Sequence, residues 1–449
     1  MTLQTLTAAT QTSVRRRVLG LAGPAVLEQL LNMSVGLADT YIVGHLGAAP
    51  LAAVGLCLQS LNLFWALLSA IGVGSTVLVA RRIGARRFRE ANAAAQQSIF
   101  LALWIGIVFT VVLWVGAPYF LDWLGAEAKV IELGSSYMRA VASTVFMLSV
   151  LLVGSAIMRG AGDTRTPMLV MLVINVVNVI LTYGLVYGVG PLPNLGVLGS
   201  GIGAAIARGL GGLLILGLLA RGRGHVKIGF KFPRPDRDVI QQILHISLPT
   251  AGEQLLMRVG QLLLTMFITQ LGTVAVAAHQ VAINALSLAY MPGWGFALAA
   301  TTLVGQELGA RQPERAVQSG FEAVRMASLI MAVLGVLISI FPAQVMAMLT
   351  DDPAVINAGV PALRIAGLSM PFLGASFTLS GGLRGAGDTL AVMVIISGCI
   401  WGLRVANGYW LGPRMGLAGI WLAIGLDFVG RSVLLGARFY RGRWKQVQV

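Results

Sequence analysis

The chain has 449 residues, of which 57% are hydrophobic and only 11% charged. Soluble domains carry about 25% charged residues, so a water-soluble enzyme of this composition would have to hide far too much apolar surface. The net charge of +15 would suggest nucleic acid in a soluble protein, but here the basic residues sit in short clusters between apolar runs, a pattern that orients membrane spans.

The chain opens with a polar segment ending in Arg15, Arg16 and Arg17, and no small-residue cleavage site follows, so no cleaved signal is expected. Residues 1–17 read as a cytoplasmic N-terminal segment. Twelve apolar runs come next, each long enough for the roughly 20 residues that a span requires. They lie near 18–44, 52–79, 92–118, 130–157, 166–190, 196–220, 241–269, 277–303, 318–345, 354–381, 390–411 and 416–437. Barrel strands would be short and alternating, so these are helices and the fold class is an all-α polytopic membrane protein. Six spans form an N-terminal bundle at 18–220 and six a C-terminal bundle at 241–437. A basic, proline-bearing cytoplasmic linker at 221–240 joins them, and a basic cytoplasmic tail fills 438–449.

Alternate loops carry very different charge. One set holds most of the 32 Lys and Arg, including Arg81, Arg82, Arg86, Arg87, Arg89, Arg159, Arg311 and Arg384; the other holds Lys129 and Arg414. The positive-inside rule then puts both termini in the cytoplasm of a plasma (bacterial inner) membrane. Cys57 and Cys399 lie in distant apolar runs, with no spacing for a disulfide framework or a zinc site.

The second half repeats the first at an offset of 225. Pro24, Glu28 and Gln29 align with Pro249, Glu253 and Gln254; Gly84-Ala85-Arg86 aligns with Gly309-Ala310-Arg311. Arg159-Gly-Ala-Gly-Asp163-Thr164 aligns with Arg384-Gly-Ala-Gly-Asp388-Thr389, and Gly196 with Gly416 after a five-residue loss. Six spans return the chain to its starting side, so the halves run parallel, as in many secondary transporters whose substrate path lies between repeats.

An acid in hydrocarbon is costly and is a functional candidate by default. Glu28, Asp39, Glu253 and Asp427 lie well inside spans. Glu28, Asn32 and Asp39 fall on one face of the first helix. Position 39 maps to Leu264, so Asp39 looks specialised, whereas Glu28 has the counterpart Glu253. In the fifth span, Asn175, Asn178 and Thr182 interrupt an apolar run. With Asp39, Asn178 and Thr182 offer oxygen ligands to a small hard cation such as Na⁺, or hydrogen bonds to a protonatable carboxylate. Interhelical hydrogen bonding is the alternative for each. Arg404 needs a partner in the membrane, and Glu253 is the expected one; Asp427 and Arg431 are spaced i,i+4 for a local pair. Gln29, Asn32, Gln254, Glu28, Glu253 and Arg404 together form the expected substrate or coupling set. His279 and Gln280 read as packing, and Gly199 and Gly203 as a close helix contact.

These residues resemble a known family. Asp39-Thr40-Tyr-Ile-Val-Gly44-His-Leu46-Gly47, the two Arg-Gly-Ala-Gly-Asp-Thr loops, the Gly-Ala-Arg loops and the twelve-span repeat are similar to the multidrug and toxic compound extrusion (MATE) family, over about residues 15–440. The resemblance implies two six-helix bundles arranged in a V, alternating access, and export of organic, often cationic, compounds against inward H⁺ or Na⁺. DinF-like members use a first-helix acid, matched by Asp39, near a fifth-helix Asn matched by Asn178; their fifth-helix Asp falls on Thr182. NorM-like members use a seventh-helix acid, matched by Glu253, but their tenth-helix acid has no match here. The chain mixes features of both groups.

The expected function is therefore antiport of amphipathic or cationic small molecules, with no cofactor beyond the coupling ion H⁺ or Na⁺. The expected partners are that small molecule and the lipid bilayer, with no nucleic acid, and the expected state is a monomer. A lipid-linked saccharide flippase of related fold is the alternative, which would favour a basic cavity. An enzyme is not expected, because the spans hold no P-loop, HExxH or Ser/His cluster.

Overall fold

The computed structural model describes residues 3–222, 226–229 and 235–447, and it is helical almost throughout. In the first half the helices are α1 (Leu3–Gly44), α2 (Ala48–Gly84), α3 (Phe88–Trp123), α4 (Ala128–Ala142), α5 (Val145–Gly160), α6 (Arg165–Tyr187) and α7 (Gly196–Ala220). The second half holds α8 (Arg237–Thr269), α9 (Thr273–Gly309), α10 (Pro313–Ile340), the short α11 (Pro342–Ala347) and α12 (Pro353–Gly385). It ends with α13 (Thr389–Cys399), a π-helical stretch over Ile400–Val405, and α14 (Ala406–Tyr440).

The repeat reappears in the element boundaries. α9 and α2 begin and end 225 residues apart, as do α12 and the α4–α5 pair. The turns agree as well. Arg86 (φ 59°) and Arg311 (φ 56°) both adopt the left-handed conformation, as do Gly162 and Gly387 (φ 91° and 85°). In each Gly-Ala-Arg turn that residue's N–H closes the helix end, Arg86 on the Ile83 carbonyl and Arg311 on the Leu308 carbonyl.

Among the described residues, nine helices are long and apolar enough to cross a bilayer, or ten when the bent α4–α5 pair counts as one span. The region 389–440, expected as two spans, counts as one in that set, although Gly416 has non-helical torsions (φ 60°, ψ −142°) that divide it. α8 is outside the set because Glu253, Gln254, Arg258 and Gln261 dilute its hydropathy. The expected span at 130–157 is bent by 51° at Ser143–Thr144. The side chains facing outward are those of a membrane protein: on α3, Trp104, Ile107, Val108, Val111, Trp114 and Val115 are all exposed.

The chain divides into two compact units, Leu27–Ser247 and Met1–Val26 with Leu248–Val449. The divisions fall inside α1 and α8, close to Pro24 and Pro249, and not at 220 and 241 as expected from the linker. Proline removes an intrahelical hydrogen bond, so each helix is divided near its weakest point. Before that point Val14, Val18 and Ala22 pack against Phe296, Ala299, Ala300 and Leu303 of the second unit. Arg15 pairs with Glu322, and Arg17 with Glu307 at 3.0 Å. The expected separate N-terminal segment is thus helical from Leu3 onward and part of α1. In the first unit, the opening of α8 is held by Arg82, whose Nη2 donates to Gln242 at 3.0 Å.

Of the expected linker, residues 223–225 and 230–234 lie outside the described residues. Val226–Gly229 is docked: Lys227 N–H donates to Asn92 Oδ1 and Ile228 N–H to the Leu219 carbonyl. The tail is docked too, with Trp444 fully buried and stacked on Phe439 at 4.6 Å.

Candidate functional site

The first unit brings Asp39 of α1 beside Asn178 and Thr182 of α6. All three are buried, Asp39 at 1% exposure, Asn178 at 1% and Thr182 at 0%. The Thr182 hydroxyl donates to Asp39 Oδ1 at 3.5 Å and accepts from Asn178 Nδ2 at 3.4 Å. Both bonds are long and weak. Among the described residues, Asp39 Oδ2 and Asn178 Oδ1 are buried without a hydrogen-bond partner. Two such oxygens beside a hydroxyl are groups that a proton or a small hard cation would satisfy. α6 and α7 approach closely here because Gly199 and Gly203 lack side chains: a Cβ on Gly199 would lie 2.5 Å from the Leu185 carbonyl oxygen, and one on Gly203 2.8 Å from Thr182 N. The expected helix contact is therefore what holds Thr182 in place.

Asn175 is turned to another task. Its amide donates to the Leu31 carbonyl at 3.0 Å and to the Met171 carbonyl at 2.9 Å, an interhelical bond to α1. Asn32 and Gln29 are half-buried on α1, and Gln254 is half-buried on α8; none of them belongs to the Asp39 cluster.

Glu28 and Glu253 are the matched pair that the repeat implies, and each has an arginine partner. Arg159 Nη1 donates to Glu28 Oε1 at 2.6 Å, and Arg384 Nη2 to Glu253 Oε1 at 2.6 Å. In both, the other carboxylate oxygen is buried and unpartnered. The arginines open the two Arg-Gly-Ala-Gly-Asp-Thr loops, which gives those loops a mechanical reading. The Arg reaches back to the acid four residues after the proline of the repeat's first helix, and the second Gly takes the left-handed turn. The Asp then takes a different partner in each half. Asp163 caps α6 by accepting from Thr166 N–H at 2.9 Å and from its hydroxyl at 2.6 Å. Asp388 meets no such Thr and pairs instead with Arg438 at 2.8 Å.

The expected Glu253–Arg404 pair is wrong. Arg404 sits on the π-helical stretch and its Nη2 meets Asp427 Oδ2 of α14 at 2.6 Å. Arg431 also binds Asp427, through Nε at 2.7 Å and Nη2 at 2.6 Å, so the expected local pair forms within a triad. Glu253 was already claimed by Arg384, as applying the 225 offset to both charges of Glu28–Arg159 would have indicated. His279, expected as packing, is buried and lies with its ring 5.5 Å from Trp421.

The MatE family model matches residues 24–184 and 249–410, two segments that begin 225 residues apart. The chain belongs to the MatE family. A relative from Thermotoga maritima described as "Probable multidrug resistance protein NorM" is 30% identical over 436 residues, covering 96% of this chain and 94% of its own. A solved structure described as "Outward-facing conformation of a multidrug resistance MATE family transporter of the MOP superfamily" is similar at TM-score 0.86 and 26% identity, covering 96% of this chain and 95% of that one. A Pyrococcus furiosus structure described as "Reverse polarity of binding pocket suggests different function of a MOP superfamily transporter" matches at TM-score 0.87 and 25% identity, over 96% and 95% of the two chains.

Several residues of this MatE chain's first unit were invisible to sequence reasoning. Tyr137 is fully buried with its hydroxyl unpartnered, and Ser200, one turn before Gly203 on α7, has a buried and unpartnered Oγ. Tyr137 and Arg208 both lie within electrostatic reach of Asp39. No local pattern marks any of them; only the packing of α4 and α7 near the α1–α6 contact brings them in. At position 264, the repeat counterpart of Asp39, the leucine is 1% exposed and part of the apolar core of the second unit.

Proposed function

We propose that this MatE-family protein is a secondary transporter of the cell membrane that exports amphipathic or cationic small molecules in exchange for H⁺ or Na⁺. The observation that carries this reading is the state of Asp39. Among the described residues the other acids deep in the spans are ion-paired: Glu28 with Arg159, Glu253 with Arg384, and Asp427 with two arginines. Asp39 is in no such pair. A bare carboxylate at 1% exposure costs several kcal/mol, so it takes up a proton or a cation whenever one is available. Binding and release there shift a population between two packings of the bundle, which is what coupling to a gradient requires. Na⁺ would be held by Asp39 Oδ2, Asn178 Oδ1 and the Thr182 hydroxyl, and a proton would need Asp39 alone.

The description of its relatives as multidrug resistance proteins supports small molecules as cargo, and the loop charge supports cytoplasmic termini. The test is efflux by an efflux-deficient strain carrying this gene, challenged with cationic dyes and fluoroquinolones. Asp39→Asn should reach the membrane in normal amount yet abolish gradient-driven efflux. Full transport by a well-expressed Asp39→Asn variant would refute the assignment. Activity towards lipid-linked saccharides with none towards the dye panel would replace it with the flippase reading.

A further inference from the structure

The second unit contains a buried charge cluster that the Asp39 site does not use. Asp427 is 0% exposed, Arg431 5% and Arg404 9% by side chain. Both carboxylate oxygens are engaged: Oδ1 takes Arg431 Nε, and Oδ2 takes Nη2 of both arginines. Two guanidinium groups therefore share one carboxylate, and the cluster keeps an excess positive charge in the protein interior. Both guanidinium groups also lie over the Phe428 ring, Arg404 at 5.3 Å and Arg431 at 5.9 Å. An aromatic face softens the excess but does not neutralise it.

The hydrogen-bond inventory is unbalanced in the same sense. Arg404 Nε and Trp421 Nε1 are donors only, and among the described residues both are buried without an acceptor; His279 Nδ1, donor or acceptor according to the tautomer, is buried and unpartnered too. Arg404 lies within electrostatic reach of His279 and Tyr290, and the His279 ring is 5.5 Å from that of Trp421. An unpartnered donor on Arg404, a second on Trp421 reached through the His279 ring, and an uncompensated cation together call for an acceptor carrying one negative charge. The backbone under Arg404 is the π-helical stretch Ile400–Val405, a rare geometry that clusters at functional sites.

We propose that the Arg404 side of this triad, lined by His279 and Trp421, is a binding site for a monovalent anion, either chloride or the carboxylate of an organic molecule. The site belongs to the second unit and is independent of Asp39.

The experiment is thermal unfolding of the full chain in detergent at constant ionic strength, with methanesulfonate, which has no carboxylate, replaced stepwise by chloride, bromide or benzoate. Saturating anion should raise the midpoint by about 2–5 °C, because a ligand that binds only the folded state stabilises it in proportion to the logarithm of its concentration over Kd. Chloride and bromide protection marks an inorganic-ion site, and protection by benzoate without chloride marks an organic carboxylate site; either supports the proposal. Arg404→Gln should be flat to all three anions while Asp39→Asn keeps the full shift. Should Arg404→Gln fail to fold, Trp421→Phe decides: loss of one N–H donor should raise the half-saturating concentration about tenfold. No shift in the unaltered protein overturns the proposal. So does an Arg404→Gln variant that is protected like the parent, or a Trp421→Phe variant with the parent's half-saturation.

Discussion

Glu253 provides the sharpest test of the charge arrangement, because the sequence and the structure give it different partners. In the structure Arg384 Nη2 lies 2.6 Å from Glu253 Oε1, with side-chain exposures of 11% and 3%. Removing the cation by Arg384→Ala strands a buried carboxylate, which costs about 3–5 kcal/mol. Glu253→Gln leaves a polar group in place of the acid and should cost about 1–3 kcal/mol. The double variant strands no charge, so its loss should fall well below the sum, with a coupling energy of about 2–3 kcal/mol. The same cycle with Arg404 should give a coupling under about 0.5 kcal/mol, since Arg404 is held by Asp427. Reversible unfolding in mixed micelles supplies the four stabilities of each cycle. A large coupling of Glu253 to Arg404, together with none to Arg384, would refute the assignment. The matched pair Glu28–Arg159 is more open, at 11% and 14%, so its cycle should read smaller, about 1–2 kcal/mol.

Four further outcomes are expected. Gly385→Ala and its repeat counterpart Gly160→Ala should each destabilise by about 1–3 kcal/mol in the same unfolding assay, because the new Cβ would lie 2.3 Å from the Thr301 carbonyl oxygen and 2.7 Å from that of Thr76. Arg86→Gly should raise stability by about 1 kcal/mol, since glycine adopts a φ of 59° without steric cost; an unchanged or lower midpoint would show that the arginine side chain outweighs the backbone. Thr182→Asp would set a second carboxylate beside Asp39 and should tighten Na⁺ binding severalfold, measured by isothermal titration at high pH; unchanged affinity would place the ion elsewhere. Gln446→Cys is exposed while Cys57 and Cys399 are buried, so a membrane-impermeant maleimide should leave intact cells unlabelled and label inverted vesicles; the reverse result would invert the topology.

How much the sequence made legible depends on how local each signal is. Hydropathy runs mark spans because burial in lipid acts on every residue of a helix, and the 225-residue repeat survives in torsions as well as letters, down to the left-handed Arg86 and Arg311. Asp39, Asn178 and Thr182 were found because polar side chains stand out in apolar runs. Features set by tertiary contact were not legible. The bend between α4 and α5 has no proline; Ser143 and Thr144 donate back to the Ala140 and Val141 carbonyls, competing with the helix ladder. Its counterpart α12 holds Pro361 and Pro371 and still runs unbroken from Pro353 to Gly385. Tyr137, Ser200 and Arg208 carry no local mark, and the partner of Arg404 depended on a π-turn that no residue pattern announces. The division within α1 was missed for a related reason: prolines indicate where a helix weakens, but only packing decides which unit each piece joins.

The repeat also sorts scaffold from specialised site. Paired features are satisfied in the same way in both halves: Glu28–Arg159 and Glu253–Arg384, the glycine contacts at 160 and 385, and the turns at 86 and 311. Such matched solutions are what building the same bundle twice demands. Unmatched buried polar groups have no such explanation. Asp39 stands against Leu264, and Thr182 against Asn407, whose amide simply returns to the Leu403 carbonyl at 2.7 Å. Arg404 stands against Val179, which is exposed. Asp39 and Arg404 both retain a buried polar atom without a partner, an acceptor on Asp39 and a donor on Arg404. The matched acids Glu28 and Glu253 also keep one buried oxygen unpartnered, but each is balanced by an arginine, whereas Asp39 has no ion partner among the described residues and the two arginines on Asp427 leave one positive charge over. The unpartnered atoms of Asp39 and Arg404 are opposite in kind, so the ligands that would satisfy them are opposite in charge. The proposed ligands are accordingly a proton or cation in the first unit and an anion in the second.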